Sequence, residues 1–144
     1  MVFEPRGQYS AQDGNVTDWH GMQCGSLAVS GAGLLILEAS AVAPEGRISP
    51  WDVGLYSDDN EAGLSQLRKK LAKLSAIPVA SRLTHAGRKA TCQAPLHSRA
   101  NLPPYQANAR QNVAPSALPH TNIGRAPPAL RQQERTQRYA RSLT

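Results

Sequence analysis

The chain has 144 residues, 16 Lys and Arg against 10 Asp and Glu, and a formal net charge of +6, with 40% hydrophobic but only 5% aromatic residues. That length admits one ordinary domain and excludes two. Its two cysteines exclude a disulfide framework, and its apolar runs are too short for a signal core or a membrane span, so a reduced, cytoplasmic setting is expected.

Met1-Val2-Phe3-Glu4-Pro5 reads as a strand entered halfway, an extended apolar stub that meets a proline. Asp13-Gly14 marks a turn, and Thr17-Asp18 supplies an N-cap and a first-turn acid for a helix with a rough apolar stripe of Trp19, Met22 and Leu27. Gly31 and Gly33 suit the end of that helix and a tight turn into a strand. Leu34 to Leu37 form a continuous apolar run closed by Glu38-Ala39-Ser40, the pattern of a strand buried on both faces in a parallel sheet.

The connection from Ser40 to Tyr56 contains Pro44, Gly46, Pro50 and Gly54 and is longer than the usual strand-to-helix loop, which points to a functional segment. Ser57 then caps a second helix, with Asp58, Asp59 and Glu61 at its positive end and Arg68, Lys69, Lys70 and Lys73 toward its negative end. Leu64, Leu67, Leu71 and Leu74 line one face of it at three- and four-residue steps. Ile77-Pro78-Val79-Ala80 opens a further strand that runs to about Thr84, followed by His85-Ala86-Gly87-Arg88-Lys89. The order is strand, helix, strand, helix, strand. It opens both doubly wound sheets and eight-stranded barrels, and no glycine-rich dinucleotide fingerprint follows the first strand to favour the former.

Residues 1–91 carry nine Lys or Arg against nine Asp or Glu, so the whole charge belongs to residues 92–144, with seven arginines against the single acid Glu134. That segment also holds seven of the eleven prolines, and it is expected to be largely irregular because it can bury little apolar surface against its ordering entropy. A basic tail raises nucleic-acid binding, but the one aromatic near the arginine cluster is Tyr139, which leaves no interleaved stacking platform.

Several separate motifs then resemble one family. Gln8-Tyr9-Ser10-Ala11, Asp13-Gly14, Thr17-Asp18-Trp19-His20, Gly31-Ala32-Gly33-Leu34, Glu38-Ala39-Ser40 running on to Ser49, and His85 to Ala90 are closely similar to the NADH:flavin oxidoreductases of the old yellow enzyme family, in its bacterial xenobiotic-reductase branch. Val113 to Pro119 resembles the same family's segment ahead of its next helix. The resemblance implies a TIM (β/α)8 barrel with FMN at the carboxyl ends of its strands, reduced by NADH or NADPH and passing a hydride to an activated alkene or related electrophile. A whole barrel needs about 200 or more residues. The expected fold is therefore a partial α/β barrel over residues 1–91, roughly three strands and two helices, followed by the irregular basic segment 92–144. Such a chain is expected to be inactive alone.

Carried over by position, the resemblance implies that Glu4, Pro5, Arg6 and Gly7 lie in the first-strand loop against the flavin and that Tyr9 contacts substrate. Ala39 matches a small residue beside the isoalloxazine ring, where a bulky side chain would block close approach. Two positions depart from the family. Gly7 stands where this branch commonly has a cysteine, and Arg82 where it has a glutamine facing the flavin's pyrimidine edge. That edge presents a carbonyl acceptor next to an N–H donor, and an amide answers both, whereas a guanidinium only donates. His97 and His120 do not match the family's substrate-holding pair and are expected to face solvent, and Glu38 reads as a structural carboxylate next to the cofactor.

Other constellations are weaker. His20, Cys24, His85 and Cys92 invite a metal reading, but only His20 and Cys24 are close in spacing, which fits a cap histidine and a buried thiol better. No base is placed beside either cysteine to make it a nucleophile. The alternative to a flavin oxidoreductase is a non-enzymatic remnant acting as a small basic binding module through its arginine-rich tail.

Overall fold

A computed structural model describes residues 1–95, 100, 102, 109–120 and 126–128. Its elements are β1 (Val2–Phe3), α1 (Asp18–Ala28), β2 (Leu34–Ala41), α2 (Asp58–Leu74) and β3 (Val79–Thr84), with single 3-10 turns at Pro44–Gly46 and Gly87–Lys89. The three strands are parallel in the order β1-β2-β3. Parallel strands in sequential order, joined through helices that pack on one face, are the repeat from which a (β/α)8 barrel is built, and three of them make part of one.

Each element starts where its local chemistry dictates. Asp13 and Gly14 take φ values of 48° and 81°, and Gln12 and Asn15 exchange backbone hydrogen bonds across them at 3.0 and 2.9 Å, which closes a tight turn before α1. At the start of α1 the Thr17 N–H donates to Nδ1 of His20 at 2.9 Å, so a histidine performs the reach-back that Glu or Gln performs in a capping box. At the start of α2 the Asn60 N–H donates to Oγ of Ser57 at 3.3 Å. Asp58, Asp59 and Glu61 complement the helix dipole there.

The core joins Cys24 and Ala28 of α1, Leu35 of β2, and Leu67 and Leu71 of α2, with Phe3, Val16, Leu27, Leu37, Ile77 and Val79 packed around them. This corrects two expectations. On α1 the side chains of Trp19 and Met22 are 47% and 62% exposed, and the helix buries His20, Cys24, Gly25 and Ala28 instead. Small residues one turn apart let α1 approach α2 closely. A Cβ on Gly25 would stand 3.3 Å from Cδ1 of Leu74, so the bare backbone is what that approach uses. On α2 the buried stripe stops at Leu71, and Leu74 is 57% exposed with only its tip over Gly25. On β2, Leu35 is fully buried against the helices, while Leu34 and Ile36 on the other face are only half-buried.

These packing differences are measurable. Leu71→Ala should lower unfolding free energy by about 3 kcal/mol, and Leu74→Ala by less than about 1 kcal/mol, in urea denaturation followed by circular dichroism. Equal losses would contradict the assignment of Leu71, and not Leu74, to the core.

Candidate functional site

Strand β2 does not keep a simple alternation. Leu35 and Leu37 pack on the helix side, and Glu38, the next residue, also turns toward α1, where its carboxylate meets His20. The register on β3 shifts at this point: Leu37 pairs with Ser81, and Ala39 pairs with Arg82. A bulge places two successive side chains on one face and re-aims the residues beyond it. Its consequence is that Ala39 faces the side of the sheet without helices.

Two further residues arrive on that open face. Arg82 is the register partner of Ala39, and alternation from Val79, which packs against the core, turns it to the open face. Glu4 follows Phe3, which packs into the core, so alternation turns Glu4 to the open face. The Glu4 carboxylate and Nη1 of Arg82 form an ion pair, both side chains about half exposed, across β2 from the β1 flank to the β3 flank. Thus Glu4, Ala39 and Arg82, drawn from three segments, are brought together near the carboxyl ends of the parallel strands.

Pro5, Arg6, Gly7 and Tyr9 sit in the loop after β1, which is tied to the buried side of β2. Glu38 is 6% exposed, and a carboxylate taken out of water must be partnered. Its Oε2 accepts the Gln8 N–H at 2.7 Å, and its Oε1 lies 3.2 Å from Nε2 of His20, itself 3% exposed. Because Nδ1 of His20 accepts from Thr17, the neutral ring carries its proton on Nε2. The contact with Glu38 is close, although its angle falls short of a hydrogen bond. Thr17 Oγ1 donates to the Ser10 carbonyl at 3.0 Å, and Ser10 Oγ donates to the Gln8 carbonyl at 3.0 Å, so α1 and this loop share one polar network.

Within the loop, a Cβ on Gly7 would lie 3.4 Å from Oε2 of Glu38 and 3.6 Å from Cζ of Tyr9. Tyr9 is half-buried and takes a left-handed φ of 52°. Arg6 is exposed, and its carbonyl accepts from Nε2 of Gln8 at 2.6 Å. Pro5 lines a small cavity between sheet and helices together with His20, Cys24, Leu37 and Glu38. His20 takes the cap position read from sequence, and what pattern alone does not give is that His20 and Gln8 both meet Glu38. The signal for His20 is its place three residues after the Thr17 cap.

The long loop after β2 folds back over the strand ends. Ala11 and Gly54 donate backbone hydrogen bonds to Trp51 and Gly14 at 2.9 and 2.8 Å, joining it to the loop after β1. Arg47, 5% exposed, donates to the Pro44 and Pro50 carbonyls and to Asp13, with its guanidinium 5.8 Å from the Tyr56 ring centre. Asp52 accepts from the Ile48 N–H, the Ser49 N–H and Ser49 Oγ at 2.8, 3.2 and 2.7 Å. Burial nevertheless holds its carboxyl above the usual carboxylate range, outweighing those hydrogen bonds. At Gly46 a Cβ would stand 2.9 Å from Cδ2 of His85, and the Gly46 carbonyl accepts the Ala86 N–H at 2.8 Å. The motif around Gly46 and the motif His85 to Lys89 therefore meet, and a side chain at Gly46 would separate them.

Beyond β3, Thr91 and Cys92 donate to the Arg47 and Ile48 carbonyls, and Asn112 Nδ2 donates to the Arg88 carbonyl at 3.2 Å. His120 is exposed. His97, Tyr139 and six of the seven arginines past residue 92, all but Arg110, lie outside the described residues. Among the described residues no cluster of three His, Cys, Asp or Glu stands ready for a metal ion, and no helix is long and apolar enough to cross a membrane.

The thiols report on the same burial. Cys24 is 4% exposed, and burial followed by the nearby Glu38 carboxylate pushes its thiol from 9.0 to about 11. Burial also raises the half-buried Cys92 thiol. Since the folded value of Cys24 lies above the unfolded one, its stabilising contribution is complete below pH 9.0 and is lost as pH rises toward about 11. Iodoacetamide at pH 8 should leave Cys24 unmodified in the native chain and label it only in denaturant, by mass spectrometry. Native labelling of Cys24 as fast as Cys92 would contradict its placement.

Comparison with known proteins bears on the fold and the family. No family profile matches the chain. An NADPH dehydrogenase of Halalkalibacterium halodurans is 33% identical over 136 residues, 93% of this chain and 35% of that protein. An NADH:flavin oxidoreductase of Gibberella zeae is 41% identical over 95 residues, 66% of this chain and 23% of that protein. Among solved structures, morphinone reductase superposes with a TM-score of 0.75 at 21% identity, over 96% of this chain and 37% of that one. Old Yellow Enzyme from Pichia sp. AKU4542 superposes with a TM-score of 0.72, over 96% of this chain and 36% of that one. The chain belongs to the old yellow enzyme family of NADH:flavin oxidoreductases, and it spans between 23% and 35% of the length of the two curated relatives compared.

Proposed function

We propose that this chain supplies flavin-contacting strands of an FMN-dependent NAD(P)H oxidoreductase that acts on activated alkenes or related electrophiles in the cytoplasm. The observation that carries this reading is the placement of Ala39. The bulge at Glu38 sets the smallest chiral side chain on the helix-free face, near the carboxyl ends of parallel strands, where barrel ligands bind. A flat ring system needs an approach of that kind.

The residues present fit the group. Ala39 leaves room for a ring face, Glu4 and Arg82 flank it on the open side, and Pro5, Arg6 and Gly7 are proposed to meet the flavin, and Tyr9 the substrate, from the loop after β1. When bound, FMN supplies the hydride acceptor and donor chemistry. The protein's own part is to present a dry, shaped wall and to hold the loop after β1 through Glu38. Three strands form only part of such a wall, so residues 1–91 are proposed as the barrel portion, residues 92–144 as its following segment, and the chain alone as a flavin binder without turnover. The reading as a basic binding module rests on a segment whose arginines, all but Arg110, lie outside the described residues.

Titration of FMN with the purified chain should give saturable quenching of flavin fluorescence. Ala39→Phe should weaken it at least about tenfold, since filling a fitted contact with a ring costs on the order of 1–3 kcal/mol. Unsaturable, variant-independent quenching would contradict the reading.

A further inference from the structure

Arg82 stands where the family resemblance places a glutamine, and a guanidinium cannot accept a hydrogen bond. The structure supplies an acceptor from the opposite flank of β2. Glu4 and Arg82 are paired on the open face beside Ala39, through Oε1 of Glu4 and Nη1 of Arg82. That contact commits one carboxylate oxygen and one terminal nitrogen. Among the described residues Oε2 of Glu4 and Nη2 of Arg82 make no other hydrogen bond, so the pair keeps one acceptor and one donor beyond their mutual contact.

We infer that Glu4 and Arg82 together replace the single amide, Arg82 donating to a carbonyl oxygen and Glu4 accepting from the adjoining imide N–H of the isoalloxazine pyrimidine edge. The inference rests on the FMN reading above. Electrostatics favour the pair over either residue alone. A lone guanidinium would select an anionic edge, and a lone carboxylate would repel the carbonyl oxygen, whereas the joined pair is neutral overall and matches a neutral imide. Both side chains are about half exposed, so neither is sealed in the core and both can meet a ligand on that face.

The test compares FMN with its N3-methyl derivative, which lacks the imide N–H, on the unmodified chain by fluorescence titration. Methylation should weaken binding at least about tenfold, the usual scale for a lost hydrogen bond to a charged partner. Glu4→Ala should weaken FMN binding and abolish the difference between the two ligands. In an Arg82→Gln background, where one amide again offers donor and acceptor, Glu4→Ala should change FMN binding less than about twofold. Equal affinity of the unmodified chain for both flavins would overturn the role of the pair while leaving FMN binding in place. A methyl penalty that persists undiminished in Glu4→Ala would overturn it too, because the penalty is then steric. Failure of both flavins to bind would overturn this inference and the reading on which it rests.

Discussion

Glu38 is a carboxylate buried between the sheet and α1, and the arrangement of its neighbours is set by the need to pair it. An isolated ionised carboxylate in such surroundings would cost several kcal/mol. The Gln8 N–H donates to Glu38 and the His20 ring lies 3.2 Å from its other oxygen, so the loop after β1 and the first turn of α1 are drawn onto the end of β2. The bulge that turns Glu38 inward is the same event that turns Ala39 outward. Pairing a charge on one face thereby clears a small residue on the other.

Packing supports that geometry at a distance. α1 presents Cys24, Gly25 and Ala28 where larger residues would hold it away from α2, and the close approach lets His20 reach Glu38 from the first turn. On the upper side, Arg47 and Asp52 fold the loop after β2 through carbonyls, amides and a serine hydroxyl. Gly46 then lets the His85 ring close against that loop. The strand ends are held from below by the Glu38 carboxylate with Gln8 and His20 against it, and from above by a loop with its own buried polar groups. The face carrying Glu4, Ala39 and Arg82 is left open.

Much of this fold is legible in residues alone. Caps at Thr17 and Ser57, the Leu34 to Leu37 run and the Val79 to Thr84 strand all occur where local chemistry places them, and the parallel order comes from the alternation of strand and helix. Three features are not legible, each for a physical reason. The buried face of α1 is made of small and polar residues, and the exposed Trp19 and Met22 dominate any hydropathy count. β2 continues through Glu38 to Ala41 because its last residues are paired by backbone, which apolar patterning does not register. The Glu4–Arg82 pair joins residues 78 apart, and only the sheet brings them together.

The central claim is that β2 breaks its alternation between Leu37 and Ala39, so that Leu37 and Glu38 share the helix side and Ala39 turns to the open side. Cross-strand and side-chain proton contacts by NMR on the labelled chain test it most directly. The predicted result is contact between Ala39 and Arg82 across the ladder, with the Glu38 side chain against the His20 imidazole. An unbroken alternation, with the Ala39 methyl against Cys24 and Leu67 and the Glu38 side chain on the helix-free face, would contradict it.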